Sequence, residues 1–176
     1  MAPHLRTFLL LLLLSAASTG AQTGSQLVTD VCDATSFSDF CRSVLLSDPR
    51  SSAADLAQLG AVAIHLTRSN ATSSLAFIQS LAASAPGDQR LEACEAAYRS
   101  AVASVGRAEG MWRDGDLTGV TNAAFEAVDD SFHCADAFGK DEAAKSPLVK
   151  NTRDLEYLSH VVLVLCDVRQ GPHSHS

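Results

Sequence analysis

The chain has 176 residues, 47% of them hydrophobic, and its 13 basic and 20 acidic residues give a formal net charge of −7. That length suits one domain with a real core. The acidic balance argues against nucleic acid or an anionic membrane as partner, because both demand a basic face. A basic protein surface is the better match, with complementary charge raising the association rate, unless the charge serves only to keep the protein in solution.

Residues 1–21 read as a secretory signal peptide. Arg6 and His4 give a weakly basic start, the run from Phe8 to Leu14 is apolar, and cleavage is expected after Ala21 with Thr19 at the −3 position. The run is well short of the roughly 20 residues a membrane span needs. Removing it takes away Arg6 and no acidic residue, so 12 basic and 20 acidic residues remain, a net of −8. The mature protein is therefore expected outside the cytosol, soluble, off the membrane and monomeric when free. Five cysteines in such a chain suggest two disulfides and one free thiol, with fifteen pairings open. Cys32 and Cys41 lie near each other in sequence.

Residues 22–50 read as an irregular or short-helical arm, with 26–32 and 37–46 each long enough for about two turns. Helices this short are marginal alone, so the arm needs a staple or a surface to lean on. Ser47-Asp48-Pro49 ends it. Ser52-Ala53-Ala54-Asp55 then reads as a capping box with Asp in place of Glu. The helix that follows carries Leu56, Leu59, Ala63 and Leu66, falters over residues 67–74, and resumes with Leu75, Ile78 and Leu81. The polar interval is either an exposed bend or an overhang. It holds the sequon Asn70-Ala71-Thr72, which makes Asn70 an N-glycosylation candidate.

Pro86-Gly87-Asp88 is a turn and helix start. Residues 91–138 then form two antiparallel helical arms, joined by a turn at Asp114-Gly115-Asp116. Apolar spacing marks Leu91, Cys94, Tyr98, Val105 and Trp112 on the first arm and Val120, Ala124, Val128, Cys134 and Phe138 on the second. Cys94 opens the first arm and Cys134 ends the second, so the two are neighbours and a disulfide can close the hairpin. After a polar linker to Pro147, Asn151 or Thr152 caps a last helix with the stripe Leu155, Leu158, Val162, Leu165 and Val168. Cys166 beside that stripe reads as a small buried hydrophobe rather than a reactive thiol. Gly171-Pro172 stops the helix, and 171–176 is a frayed polar tail.

Four such helices over residues 51–170 can bury their stripes only against one another. The expected fold is all-α: an up-down-up-down four-helix bundle preceded by that N-terminal arm. Its alanine-rich faces predict close packing rather than a large central cavity.

No catalytic constellation appears. Asp129 and His133 share a helical face, with Asp130 alongside, but two ligands fall short of a zinc set; a solvated acidic face is the reading. His65 and His160 have no placed Ser, Cys or Asp partner for a triad, and His173 and His175 fall in the tail. No nucleophile elbow or phosphate loop is present, and no cofactor or metal is expected. The function belongs to the surface of the scaffold rather than to an active site.

The cysteine framework, with its flanking residues, resembles the plant invertase/pectin methylesterase inhibitor family. The resemblance rests on Cys32-Asp33-Ala34-Thr35 through Phe40-Cys41, Asp48-Pro49-Arg50-Ser51, Leu91-Glu92-Ala93-Cys94 with Tyr98, the run from Ala124 to Cys134 with Asp136 and Phe138, and Ser146-Pro147-Leu148 leading to Asn151, Leu155 and Leu158. It spans essentially the whole mature chain and looks closest to the invertase-inhibitor branch that includes a pollen allergen. It implies that residues 22–50 form an N-terminal helical hairpin ahead of the four-helix bundle, with the disulfides Cys32–Cys41 and Cys94–Cys134 and Cys166 free. It also implies an apoplastic, cell-wall plant protein that is not an enzyme but blocks the substrate cleft of one.

Invertase inhibitors of the family carry Pro-Lys-Phe just after the turn between the second and third bundle helices. The corresponding stretch here is Asp116-Leu117-Thr118-Gly119. Pectin methylesterase is therefore the preferred target, with acid invertase as the alternative and a non-inhibitory structural helical protein as the rival from another class. Candidate contacts are the tip residues Asp114, Asp116, Leu117 and Thr118, together with Glu95, Glu109, Asp129 and Asp130 as exposed acids on the bundle.

Overall fold

The computed structural model describes residues 24–139 and 143–171, so the signal-peptide reading and that of the tail beyond Gly171 lie outside it. The described residues form six α-helices and one 3-10 turn, with no strand: α1 Gly24–Asp33, α2 Ser38–Leu46, the turn Pro49–Ala53, α3 Leu56–Ser84, α4 Gln89–Asp114, α5 Leu117–Ala137 and α6 Val149–Gln170. Helices α3 to α6 run up and down around one core, each packed against the next, and α6 closes the ring onto α3. The α1–α2 hairpin packs on the α3 and α6 side.

Helix ends follow local chemistry. Asp55, not Ser52, caps α3: its carboxylate accepts from Gln58 N while the Gln58 side chain accepts from Asp55 N. Ser52 belongs to the 3-10 turn, where its hydroxyl bonds back to Pro49 O. The capping box thus falls three residues later than the sequence pattern placed it. Asp88 caps α4 and Asp116 caps α5, each accepting from a backbone N–H within the first turn. Gly115, at φ +78°, ends α4 in the left-handed region that glycine reaches without strain.

Helix α6 starts at Val149, before the expected caps, with no side-chain cap on its first turn. Asn151 instead donates across to Ser74 Oγ on α3 at 2.8 Å, and Thr152 bonds back to Leu148 O.

Residues 67–74 neither interrupt α3, which is one continuous helix of 29 residues, nor overhang the bundle. Its core line passes through Thr67, Ala71 and Ser74, all buried. The Thr67 hydroxyl is satisfied by Ala63 O at 2.8 Å, so a small polar residue substitutes for an apolar one without stranding a donor.

Two locks hold the ends of the bundle. At the tip, Trp112 lies against Gly60, where an added Cβ would fall 1.9 Å from the indole Cζ2. The Trp112 indole N–H donates to Ala57 O at 2.8 Å, and Arg169 from α6 stacks over the ring at 4.3 Å while donating to Trp112 O. At the opposite end, the Cys94–Cys134 disulfide ties the start of α4 to the end of α5. A second disulfide, Cys32–Cys41, joins α1 to α2. Cys166 is free and buried, and burial pushes its thiol pKa up, which disfavours the reactive thiolate.

Candidate functional site

The hairpin gives the bundle a covered face and an uncovered one. On the covered face, Phe37 stacks on Tyr157 of α6 with ring centroids 4.1 Å apart. Phe40 meets both rings edge-on, and His160 meets Phe37 edge-on. This cluster fastens the hairpin tip to the middle of α6.

On the other side, α5 points a line of side chains away from the core. Its buried residues, including Val120, Ala124, Ala127, Ser131 and Cys134, occupy one face. Thr118, Asn122, Phe125, Asp129, Phe132 and Asp136, in steps of four and three, occupy the opposite face, and all are exposed. Phe125 is 52% exposed and Phe132 47%. Seven residues apart, they sit about 10 Å from each other along the axis, with Asp129 between them. Two phenyl rings held in water on one helix face, flanked by carboxylates, offer apolar area that a partner can bury and charge that can steer it.

Beneath the line, the α4–α5 seam is polar. Glu126 accepts from Ser104 Oγ at 2.6 Å and pairs with Arg107 at 2.7 Å. Asp130 is only 9% exposed, and its Oδ2 is buried without a protein partner. Burial raises its carboxyl above the usual range, opposed by a hydrogen bond from Ser100 and the charge of His133 and reinforced by Glu126 and Asp129.

The structure separates the expected contact residues. Asp114, Asp116 and Thr118 are exposed at the tip with Leu117 half-buried, and Asp116 spends one carboxylate oxygen on Gly119 N. Glu95 accepts from Gln79 and Arg99, which hold its carboxyl below the usual range, Arg99 contributing most. Glu109 pairs with Arg68 across the α3–α4 seam at 2.6 Å. Asp129 is exposed within the α5 line. Asp130 must be corrected from an exposed acid to a buried one, because its position on α5 turns it into the seam toward Ser100 rather than outward.

Phe125 and Phe132 were missed by the sequence reading. The available signal was that both are large apolar residues lying off the buried stripe. Asn70 is half-buried in mid-helix, with its Oδ1 enclosed and lacking a protein partner.

Among the described residues no three His, Cys, Asp or Glu side chains gather into a metal set, and no helix is long and apolar enough to cross a membrane.

Residues 26–165 match the family model described as plant invertase/pectin methylesterase inhibitor. The chain belongs to that family. Among relatives, it is 29% identical over 150 residues to a pectinesterase inhibitor of Actinidia deliciosa, covering 84% of this chain and 81% of that one. It is 29% identical over 130 residues to a Platanus orientalis protein named "Putative invertase inhibitor", covering 72% and 76%. It is 26% identical to pectinesterase inhibitor 2 of Arabidopsis thaliana, covering 78% and 81%. The fold is that of a crystallised mutant form of a pectin methylesterase inhibitor from Arabidopsis, with a TM-score of 0.67 at 23% identity, covering 79% of this chain and 94% of that one.

Proposed function

We propose that this family member is a secreted, apoplastic inhibitor of pectin methylesterase that is not itself catalytic. It binds the enzyme one-to-one and excludes substrate by covering the cleft. The observation that carries this reading is the exposed α5 line of Phe125, Asp129 and Phe132 on the bundle face that the hairpin leaves open. Such a face buries aromatic anchors within a charged surround, the arrangement that concentrates binding energy in a few contacts. The tip stretch Asp116-Leu117-Thr118-Gly119 lacks the Pro-Lys-Phe of invertase inhibitors, and this ranks acid invertase second as target.

The test is a titration of the mature protein against one pectin methylesterase and one acid invertase. Methyl-ester release is expected to fall to the background at near-equal molar ratio while sucrose cleavage persists. Raising salt from about 0.05 to 0.5 M is expected to weaken inhibition, because it shortens the reach of the acidic surface from beyond about 10 Å to a few ångströms. Inhibition of invertase alone would transfer the reading to the alternative target. Failure against several isoforms of both enzymes would leave the structural-protein rival standing.

A further inference from the structure

Charge is divided unevenly between two helices on opposite sides of the bundle. Helix α5 carries four carboxylates and no lysine or arginine, whereas the 29 residues of α3 include no Asp or Glu. Along the outer side of α3, Gln58, Ala61, His65, Arg68 and Thr72 follow in steps of three and four, and all are exposed. Two open hollows adjoin there at Ala61. Arg50, Ala53, Gln58 and Val62 line one, and Ile64, Glu109, Trp112 and Arg113 line the other, so together they make a groove across the first half of α3. Its floor is largely apolar and its rims carry guanidinium groups. Arg50 pairs with Asp48 and Arg68 with Glu109, while Arg113 donates to Glu109 O and meets no carboxylate among the described residues. Glycines keep the α4 rim low. An added Cβ at Gly106 or Gly110 would lie 3.9 Å from the guanidinium of Arg68 or Arg113, respectively, and near nothing else.

We propose that this groove binds a strand of acidic polysaccharide, with sugar rings on the apolar floor and carboxylates on Arg113 and Arg50. Charge complementarity selects the occupant. In a chain of net charge −7, an acid-free helix face rimmed by arginines is where a polyanion can approach. The planar guanidinium also matches a carboxylate in a two-pronged way that an ammonium does not. An acidic peptide strand fits less well, because the backbone groups of a helix face are already paired and offer it no ladder to join. The choice of polymer rests on the function proposed above: hydrolysis of pectin methyl esters leaves free carboxylates along the chain. The groove would thus hold the inhibitor on the material its target works on. Helices α3 and α5 lie across the diagonal of the bundle, so polymer and enzyme do not compete for one face.

The test is native electrophoresis of the mature protein, without enzyme, through gels holding polygalacturonate, fully methyl-esterified pectin or polyglutamate. Retardation is expected in polygalacturonate and not in the other two. Arg50→Gln combined with Arg113→Gln is expected to raise the dissociation constant roughly ten-fold, the scale of two exposed ion pairs. Both side chains are exposed, so the thermal midpoint of that variant is expected to stay that of the parent. Equal retardation in esterified pectin would show binding that ignores carboxylates. Equal retardation in polyglutamate would make the groove a site for acidic peptides. Either result, no retardation in any gel, or an arginine variant held as strongly as the parent would overturn the proposal. Because no enzyme is present, the two readings fail separately. A protein that inhibits the esterase but is not retarded loses the groove alone, and one that is retarded but inhibits nothing loses the docking face alone.

Discussion

The two faces of the bundle use aromatic side chains in opposite ways. On the α3–α6 side, Phe37 and Phe40 of the hairpin pack against Tyr157, one stacked and one edge-on, so their area contributes to the fold. On the α5 side, Phe125 and Phe132 remain about half exposed, at 52% and 47%. Identical chemistry thus yields stability where the chain folds back on itself and a candidate binding surface where it does not. The hairpin determines which is which: an arm of two short helices, stapled by Cys32–Cys41, consumes one face and leaves the other free.

The largest expected effect separates the two staples. In the chain-entropy model, opening Cys94–Cys134 with serines costs about 3.9 kcal/mol, against about 2.7 kcal/mol for Cys32–Cys41. The first link holds the α4–α5 pair that carries the exposed line, so its loss is expected to lower both the thermal midpoint and the inhibition. Loss of the second loosens the covering arm, and inhibition is expected to survive at temperatures where the bundle remains folded. Calorimetry paired with inhibition titration checks this. Equal damage to inhibition from both changes would erase the distinction between the faces.

Next in size is an exchange of aromatics for alanine on each face. Phe125→Ala with Phe132→Ala is expected to weaken inhibition about 100-fold or more, as loss of interface anchors does, while stability stays within about 0.5 kcal/mol of the parent. Phe37→Ala is expected to reverse the pattern. It should cost about 2 kcal/mol of stability, less than a fully buried Phe because Phe37 is half-buried. Its effect on inhibition of the folded protein is expected to be less than about three-fold, within the range of residues outside the anchors. If the Phe125 and Phe132 changes proved silent in binding, the docking face would have to be sought elsewhere on the bundle.

Much of this architecture was legible in the sequence because it depends on periodicity and punctuation. Tyr98 and Trp112 fall on the apolar spacing of α4 and are buried; Asp88 and the Asp114–Asp116 turn lie where caps and a left-handed glycine are required. What escaped depends on how helices are rotated against one another. Thr67 and Ser74 looked like a polar break, because single-residue hydropathy does not register a hydroxyl bonded to its own helix or across to Asn151. Asp130 and Asp129 are adjacent in sequence yet differ by about 100° around the helix, enough to place one in a seam and the other in water. The candidate face was missed for a related reason. Acidic residues were sought as the steering feature, whereas the distinguishing feature is two phenylalanines on the wrong side of an otherwise regular stripe.

Asp130 supplies the smallest effect, and it tests whether the seam beneath the exposed line is as dry as its geometry indicates. Burial raises its folded-state pKa above that of the unfolded chain, where an aspartate titrates near about 3.9. Between those two values the folded protein binds more protons than the unfolded one, so stability falls as pH rises through the window and is fully retained below it. Asp48 and Asp88, each held at about 2 mainly by its hydrogen bonds from Arg50 and Arg90, slope the other way. Their contribution is lost only as pH drops toward 2, outside the window. Asp130→Asn keeps the shape and removes the ionisation. Its urea midpoint is expected to match the parent at the acid end and to exceed it increasingly as pH rises through the raised value. Urea titrations at stepped pH measure the difference directly. A constant offset between the two proteins would show a hydrated carboxylate and a seam open to solvent. A gap that widens with pH would place a buried acid with a raised pKa directly behind the proposed docking face.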